Sequence, residues 1–168
     1  MQGDTPKKLI EQAYKDFSDE IFRFTLYRVR NRETALDIVQ DVFVKTMKYL
    51  ENGKEVDNMR PFLYKTARNC IIDHIRTKHS TPMWTDADDG TWGEDEGFVD
   101  DVSQKYDSKL LSDLMDRLQD DEREILQMRY LAELPLDEIA AAWGKTSNHI
   151  SVMIHRAEKK LQKIYDEL

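Results

Sequence analysis

Side chains able to recognise DNA are concentrated in residues 136–163. A short helix is predicted there, followed by a turn at Gly144 and a longer helix from Ser147. This is the order of a helix-turn-helix unit, whose second helix enters the major groove. Lys160 and Lys163, near the end of that helix, are expected to meet phosphates. The outward face and its flanks carry groups that can contact base edges, thymine methyls or phosphates: Lys145, Ser147, Asn148, His149, Ser151, Val152, His155, Arg156 and Lys159.

A second polar and aromatic group lies on a helix predicted from about Pro61 to His79. Basic groups beside aromatic rings suit single-stranded DNA, because phosphates need positive charge and unstacked bases need a platform. The loop at residues 53–58 could cradle a flipped base. The alternative is that the aromatics belong to the core, as is common at helical spacing. The residues expected to project from the non-core sides are Arg60, Tyr64, Lys65, Arg68, Asn69 and Arg76.

The sequence offers no catalytic or metal-binding constellation. Its four histidines are scattered without metal-ligand spacing, and no serine or cysteine has a plausible base partner. The single cysteine, Cys70, excludes an internal disulfide and a cysteine-cluster metal site. We therefore expect no catalytic residue, no metal and no cofactor.

The charge distribution matters more than the net charge of −8, which alone argues against nucleic acid. Residues 80–107 contain nine Asp or Glu and one Lys, so this segment equals the whole imbalance. Residues 60–79 and 145–163 each carry a local charge of +4. Because the Debye length is about 8 Å at physiological ionic strength, local patches attract phosphates. An ordinary solvated helix face is the alternative for either window alone.

Hydrophobic periodicity predicts helices and no strand, so the fold class is expected to be all-α. Two small helical domains are expected at residues 5–79 and 108–168. Residues 80–107 contain a proline, three glycines and the acidic residues but no apolar repeat. Such a composition buries too little surface to offset chain entropy, so a flexible acidic linker is expected.

Capping residues predict the helix boundaries of the first domain. Thr5 and Pro6 are expected to start the first helix, which Ser18 could divide in two. The second helix is expected over Arg32–Leu50, before a stop at Gly53. Its inner stripe is expected to consist of Leu36, Val39, Phe43, Met47 and Leu50.

Two local features of the second domain are also predicted. Asp120 or Asp121 is expected to cap the helix that precedes the helix-turn-helix. The small residues Ala140 and Ala141 are expected to permit close helix crossing.

The compartment follows from what is missing in the pattern. No run approaches the ~18 apolar residues of a membrane span, and the first residues do not resemble a signal peptide. With a single cysteine, a reducing cytoplasm is the expected location.

Taken together, these blocks resemble the extracytoplasmic-function (group IV) sigma factors of bacterial RNA polymerase. The segments 34–45 (TALDIVQDVFVK) and 60–69 (RPFLYKTARN) are similar to sigma region two. Residues 118–130, leading into the helix-turn-helix, are similar to region four. The resemblance covers nearly all of the chain outside residues 80–107 and the first few residues.

The resemblance implies partners for each surface. Core RNA polymerase would be contacted through the clamp helices of its largest subunit and the flap of the second-largest. Promoter DNA would be bound both as duplex and as melted strand. An anti-sigma factor is a further partner that holds many relatives inactive. The linker would thread toward the active-site cleft and be displaced by RNA.

The resemblance also implies roles for individual residues. The set that contacts the clamp helices would be Asp37, Gln40, Asp41 and Lys45. The melted minus-ten strand would be captured by Asn52, Lys54, Asn58, Arg60, Tyr64, Lys65, Arg68, Asn69 and Arg76. The nine residues on and around the second helix of the helix-turn-helix would read the minus-thirty-five element. Gly53, Phe62, Asn148 and Ser151 depart from the common family pattern, so the promoter sequence itself is not implied.

Two other classes of function are weighed against this one. A stand-alone helix-turn-helix regulator of the LuxR type looks similar over residues 121–161. Its receiver domain, however, would need a βα pattern and a phosphoacceptor aspartate, and neither is visible. An enzyme is disfavoured by the scattered histidines. We therefore expect a sigma factor that selects and melts promoters.

Overall fold

The structure, a computed structural model, describes residues 3–80 and 108–168. All of the regular structure in these ranges is helical, as expected for an all-α chain. The chain divides into two compact units, within residues 1–93 and 94–168. The expected acidic linker lies outside the described residues except for its first residue, Ser80.

The first unit begins with helix α1 (Pro6–Val29), capped by Thr5. The Thr5 hydroxyl oxygen accepts a hydrogen bond from the Lys8 amide at 3.3 Å, and Pro6 occupies the first turn. Ser18 does not divide the helix, because one serine costs little against continuous packing on both of its sides. Arg30, with φ 56°, ends α1.

Helices α2 (Arg32–Glu51) and α3 (Met59–Ser80) follow in the described part of the first unit. The Asn31 side chain caps α2 by accepting from the Thr34 amide at 2.9 Å. Gly53, with φ +80°, follows the end of α2, a backbone conformation that glycine adopts without strain. The stop predicted at Asn52 and Gly53 is confirmed.

The core of the first unit is formed by the facing sides of α1, α2 and α3. Fully buried members include Ile21, Val42, Leu63 and Ile71. Leu36, predicted on the inner stripe, is instead 44% exposed. It follows buried Ala35 by one residue, which is a rotation of about 100° around the helix. Its side chain therefore lies outside the buried stripe.

The described part of the second unit, residues 108–168, contains four α-helices. They are α4 (Ser108–Asp116), α5 (Asp120–Leu126), α6 (Leu136–Trp143) and α7 (Ser147–Asp166). A π-helical turn, Gln127–Leu131, continues α5. The described helices of both units are too short or too polar to span a lipid bilayer.

Capping in the second unit differs from the prediction at α5. The N-cap is Gln119, whose backbone amide donates to the Glu122 carboxylate at 3.1 Å. Asp120 and Asp121 instead lie in the first turn, where acidic groups complement the positive end of the helix dipole. The guanidinium of Arg123 then bonds the Met115 and Leu118 carbonyl oxygens, both at 3.1 Å.

The core of the second unit brings α5, α6 and α7 together. Ile125, Ile139 and Ile150 are fully buried. Among the small residues of α6, Ala140 and Ala142 are buried while Ala141 is exposed. The expectation of close crossing through Ala141 is therefore wrong, since its side chain lies on the outer side of the helix.

Candidate nucleic-acid interface

The turn between α6 and α7 sets the direction of α7, the helix on which the candidate duplex-reading residues lie. Gly144 takes φ +66° and ends α6, and the Lys145 amide donates to the Ala140 carbonyl at 3.0 Å. Thr146 then caps α7, its hydroxyl oxygen accepting from the His149 amide at 3.1 Å. These three consecutive residues fix the direction in which α7 leaves the turn.

The outer face of α7 is exposed as predicted. Ile150, Ile154 and Ala157 are buried against the rest of the unit. Every polar residue predicted to read duplex DNA lies on the opposite side, in solvent. The exposed set is Lys145, Ser147, Asn148, His149, Ser151, Val152, His155, Arg156 and Lys159. It combines hydrogen-bonding groups, one aliphatic contact and three basic side chains.

Two side-chain contacts join α7 to α5 and to the π-helical turn that continues α5. The Lys160 ammonium pairs with the Glu122 carboxylate at 2.8 Å. The Tyr130 hydroxyl donates to the Glu158 carboxylate. Lys160 is therefore already paired with a carboxylate of its own unit, and the phosphate contact expected of it stays a prediction. Lys163 is exposed.

On α3, exposure separates the candidate single-strand residues. Lys65, Asn69 and Arg76 are exposed, and Arg68 is half-buried. Tyr64 is 0% exposed. The prediction that the Tyr64 ring projects toward a DNA strand is therefore wrong.

The burial of Tyr64 has a simple geometric cause. It lies one residue after buried Leu63 and three residues before buried Ala67, so it falls within the core stripe. Its ring meets Phe24 of α1 edge-on, with centroids 5.2 Å apart. The sequence left open the alternative that this aromatic belongs to the core, and the structure confirms that alternative for Tyr64.

The loop between α2 and α3 presents three candidate residues. Asn52, Lys54 and Asn58 are all exposed. The Lys54 ammonium lies 5.1 Å from the centroid of the Tyr49 ring, and that ring packs on Phe62 with centroids 4.8 Å apart. A cation and two half-buried rings therefore lie beside the exposed loop.

Arg60 lies at the start of α3 and is held by the protein itself. Its Nε and Nη2 donate to the two carboxylate oxygens of Glu20 in α1, at 3.0 and 3.1 Å. The two side chains are 28% and 19% exposed. This differs from the prediction of a guanidinium directed at phosphate. Spacing could not reveal the pair, because 40 residues separate its members.

The outer face of α2 is mixed in polarity. Asp37, Gln40 and Asp41 are exposed, as predicted. Two apolar residues, Leu36 at 44% and Val44 at 49% exposure, lie among them. Because positions 36, 40 and 44 are spaced by four, they form one ridge along the helix. The exposed apolar residues are the feature that the sequence pattern missed.

Lys45, the fourth residue predicted on this face, is close to α3. It is exposed, and its ammonium lies close enough to the Cys70 thiol to lower that group's pKa. Burial raises the pKa of that thiol more than Lys45 lowers it. Lys45 therefore lies at the edge of the α2 face, toward α3.

A groove with an apolar floor adjoins the α2 face. It runs between α1 and α2, and its floor includes Ile10, Tyr14, Phe43, Val44 and Met47. The Tyr14 ring meets Phe43 edge-on with centroids 5.1 Å apart. Since Val44 belongs to both features, the exposed apolar surface continues from the α2 face into the groove.

Within the described ranges, no three His, Cys, Asp or Glu side chains are grouped so as to hold a metal ion. Whereas the outer face of α2 carries carboxylates and apolar groups, the exposed side chains of α7, of α3 and of the loop between α2 and α3 include amides, hydroxyls, ammonium groups and guanidinium groups. Such groups bind phosphates, base edges and protein carbonyls.

Comparison with known proteins identifies both units. The family model for sigma-70 region 2 matches residues 13–81, and the model for sigma-70 region 4 matches residues 114–163. The two matches occur in chain order and together cover more than two thirds of the chain.

Full-length similarity extends to individual sigma factors. The chain is 25% identical over 158 residues to the ECF RNA polymerase sigma factor SigM of Bacillus subtilis, covering 94% of this chain and 95% of that one. It is 27% identical over 160 residues to RNA polymerase sigma factor YlaC of the same organism, covering 92% and 90%.

A solved structure agrees in fold. The sigma factor RpoE of Bartonella quintana, crystallised with the anti-sigma factor NepR, matches with a TM-score of 0.65 at 17% identity. The match covers 93% of this chain and 96% of that one. Because both family regions occur in order and the relatives match over nine tenths of the chain, the chain belongs to the sigma-70 family of RNA polymerase sigma factors, in its extracytoplasmic-function group.

Proposed function

We propose that this protein binds core RNA polymerase and directs it to promoters, where it recognises duplex DNA with one unit and captures the melted strand with the other. The observation that carries the proposal is the separation of polar surfaces: α7 presents one exposed set, and α3 with its preceding loop presents another. Sigma factors are not enzymes by family, and here the protein supplies binding energy while the polymerase performs the chemistry.

Duplex recognition is assigned to α7. In a helix-turn-helix the second helix lies in the major groove, and its first turns contact base edges. Asn148, Ser151 and Arg156 can bond bases or phosphates, and Val152 can meet a thymine methyl. Lys145 and Lys159 flank the helix and suit phosphates. The remaining exposed residues that we assign to the minus-thirty-five element are Ser147, His149 and His155.

Capture of the melted strand is assigned to α3 and the loop before it. Lys65, Asn69 and Arg76 are exposed along the helix, where ammonium and guanidinium groups can follow a phosphate backbone. Tyr64 is not assigned to the strand-binding set, because a fully buried ring cannot stack on a base. Arg60 is not assigned a direct contact with the strand, because its guanidinium is paired with the Glu20 carboxylate. The other residues that we retain are Asn52, Lys54, Asn58 and Arg68.

Polymerase binding is assigned to the outer face of α2. Asp37, Gln40 and Asp41 suit a polar contact with the clamp helices of the largest subunit, and Lys45 lies at the edge of that face. Leu36 and Val44 add apolar area, and partly apolar patches mark protein interfaces. We assign contact with the flap of the second-largest subunit to the unit at residues 108–168.

Domain boundaries, location and regulation follow from the same proposal. We place the two functional domains at residues 5–79 and 108–168, joined by the acidic linker at 80–107. Because the protein works on core polymerase, we assign it to the cytoplasm. RpoE of Bartonella quintana is bound by an anti-sigma factor, and we propose a partner of that class here. A stand-alone regulator is not favoured, because residues 13–81 match sigma region 2.

The proposal is tested by transcription with purified components. Core polymerase with and without the full chain is incubated with a promoter library, and transcript starts are mapped. We expect a restricted set of start sites that appears only with the chain and shares two separated sequence elements. Starts that are identical with and without the chain would refute the proposal.

A further inference from the structure

The loop at residues 52–58 must be held in place if it is to receive an unpaired strand. It is short, exposed and bounded by the end of α2 and the start of α3. Its conformation is therefore set by how firmly those two helix ends are held. Ordering such a loop in advance lowers the entropic cost of binding a strand.

One end of the loop is tied to α1 by the Glu20–Arg60 ion pair. Two parallel N–H···O bonds, at 3.0 and 3.1 Å, join the groups. Bidentate geometry adds directional specificity to charge attraction. The pair is also half-buried, with 28% and 19% exposure, so water screens it less than it screens a surface pair.

The same end of α3 is tied to α2 on its other side. The ring of Phe62 packs on Tyr49 with centroids 4.8 Å apart, and Lys54 of the loop lies over the Tyr49 ring. Arg60 and Phe62 thus connect the first turn of α3 to two different helices. Of these two residues, Arg60 makes its contact through an ion pair, whereas Phe62 makes its contact through ring packing.

We propose that Arg60 is a positioning residue: its ion pair with Glu20 fixes the first turn of α3 and thereby the loop at residues 52–58 that receives the melted strand. This inference rests on the proposed function of that loop. It separates Arg60 from Lys65, which acts on the strand directly.

The proposal and direct phosphate contact by Arg60 predict opposite signs for Glu20. If Arg60 bound phosphate, the Glu20 carboxylate would compete with DNA, and removing its charge would strengthen strand binding. If Arg60 positions the loop, removing that charge releases the first turn of α3 and weakens strand binding. Glu20 is therefore the informative residue.

The experiment uses holoenzyme made from core polymerase and the full chain, and it measures binding to a fluorescent single-stranded oligonucleotide. The oligonucleotide carries the minus-ten sequence of a promoter that the wild-type holoenzyme opens. Glu20→Gln, Arg60→Gln and the double variant are compared. We expect each to weaken strand binding about fivefold, the double variant no more than either single, and the salt slope to stay unchanged. Asp19→Asn, an exposed neighbour on α1 with the same charge loss, should bind as the wild type does.

A charge-swapped variant, Glu20→Arg with Arg60→Glu, separates positioning from contact even if single variants unfold. It restores a salt bridge between the same two positions, so strand binding should return to within about twofold of wild type. Core-polymerase affinity should stay unchanged in all variants. A swapped variant that remains defective would overturn the proposal, as would Glu20→Gln binding as tightly as wild type or tighter.

Failure of this inference is distinguishable from failure of the proposed function. If wild-type holoenzyme does not bind the strand at all, the function assigned to α3 and its loop is wrong. If wild type binds and Lys65→Ala weakens binding while Glu20→Gln does not, only the positioning role of Arg60 is wrong.

Discussion

Among single side chains, exposure decides which basic residues of α3 can reach DNA. Lys65 and Arg76 are exposed, whereas Arg60 is bonded to Glu20 and Tyr64 is fully buried. The basic surface that α3 presents to solvent is therefore narrower than its sequence suggests. Lys65 is the exposed cation nearest to the loop along the helix, so it carries the first prediction.

Lys65→Ala is expected to reduce promoter opening by about fivefold without changing affinity for core polymerase. Loss of one phosphate contact should also lower the slope of log affinity against log salt by about one. Opening is measured by permanganate reactivity of the melted strand, and core affinity by competition. Lys7→Ala, an exposed lysine on α1, is the control. Equal loss of opening and polymerase binding would contradict the assignment.

The buried thiol of Cys70 gives a prediction about stability. Burial is the main cause that raises its pKa, and Lys45 opposes this by less. The folded protein therefore keeps the thiol proton to higher pH than the unfolded chain does. The thiol contributes no pH dependence below its ordinary pKa, and above it the free energy of unfolding falls as pH rises.

This fall is measured by urea unfolding under reducing conditions from neutral to alkaline pH, in wild type and in Cys70→Ser. Other groups titrate equally in both proteins, so the difference between the two curves isolates the thiol. We expect wild type to lose stability more steeply than Cys70→Ser. Parallel curves would show that burial does not perturb this thiol.

For whole helices, the sequence predicts most boundaries because the caps are local. Thr5, Gly53 and Gly144 lie where capping rules place them, and α7 begins at Ser147 as predicted, although its cap is Thr146. The π-helical turn at 127–131 leaves no such capping signal in the sequence. The Glu20–Arg60 pair and the burial of Tyr64 depend on contacts between helices that are distant in sequence.

The candidate surfaces were predictable to the same extent as the helix faces. The outer face of α7 follows from one clear apolar stripe, and every residue predicted there is exposed. On α2 the predicted stripe holds at Val39, Phe43 and Leu50, which are buried, and fails at Leu36, which is exposed. The cause is that Leu, Ile and Val occur on both sides of α2, and periodicity alone cannot rank them.

The cap of α7 gives a prediction about this element. Thr146→Ala removes the hydroxyl that accepts from the His149 amide, and it should lower the free energy of unfolding by about 1 kcal/mol. Thr146→Ser keeps the acceptor and should lie within a few tenths of a kcal/mol of wild type. Chemical denaturation of the full chain, followed by helical circular dichroism, measures both. Equal losses in the two variants would contradict the capping role.

The face of α2 gives a second prediction about an element. Asp37→Ala with Asp41→Ala should weaken binding to core polymerase about tenfold, or ~1.4 kcal/mol, because two carboxylates at the contact are lost. Asp16→Ala with Asp19→Ala removes the same charge from an exposed part of α1 and should leave affinity unchanged. Titration of labelled core polymerase measures both pairs. Unchanged affinity in the α2 variant would place the contact elsewhere.

For the molecule as a whole, the acidic total and the DNA-binding function are compatible. The net charge is −8, but residues 60–79 and 145–163 each carry +4. Arg60 and Lys160 in these segments are paired with carboxylates, so the positive charge offered to DNA comes from the exposed cations, which act over about 8 Å at physiological salt. Two modest surfaces on one chain can then combine their affinities when both sites lie on the same DNA.

The central claim is that α7 reads duplex DNA upstream while α3 and its loop hold the melted strand. The most direct test measures promoter opening by Arg156→Ala and Lys65→Ala holoenzymes on an intact promoter and on one whose upstream element is replaced. We expect Arg156→Ala to lose at least about fivefold on the intact promoter and nothing further on the altered one, while Lys65→Ala loses the same factor on both. Equal losses for Arg156→Ala on both templates would contradict the account.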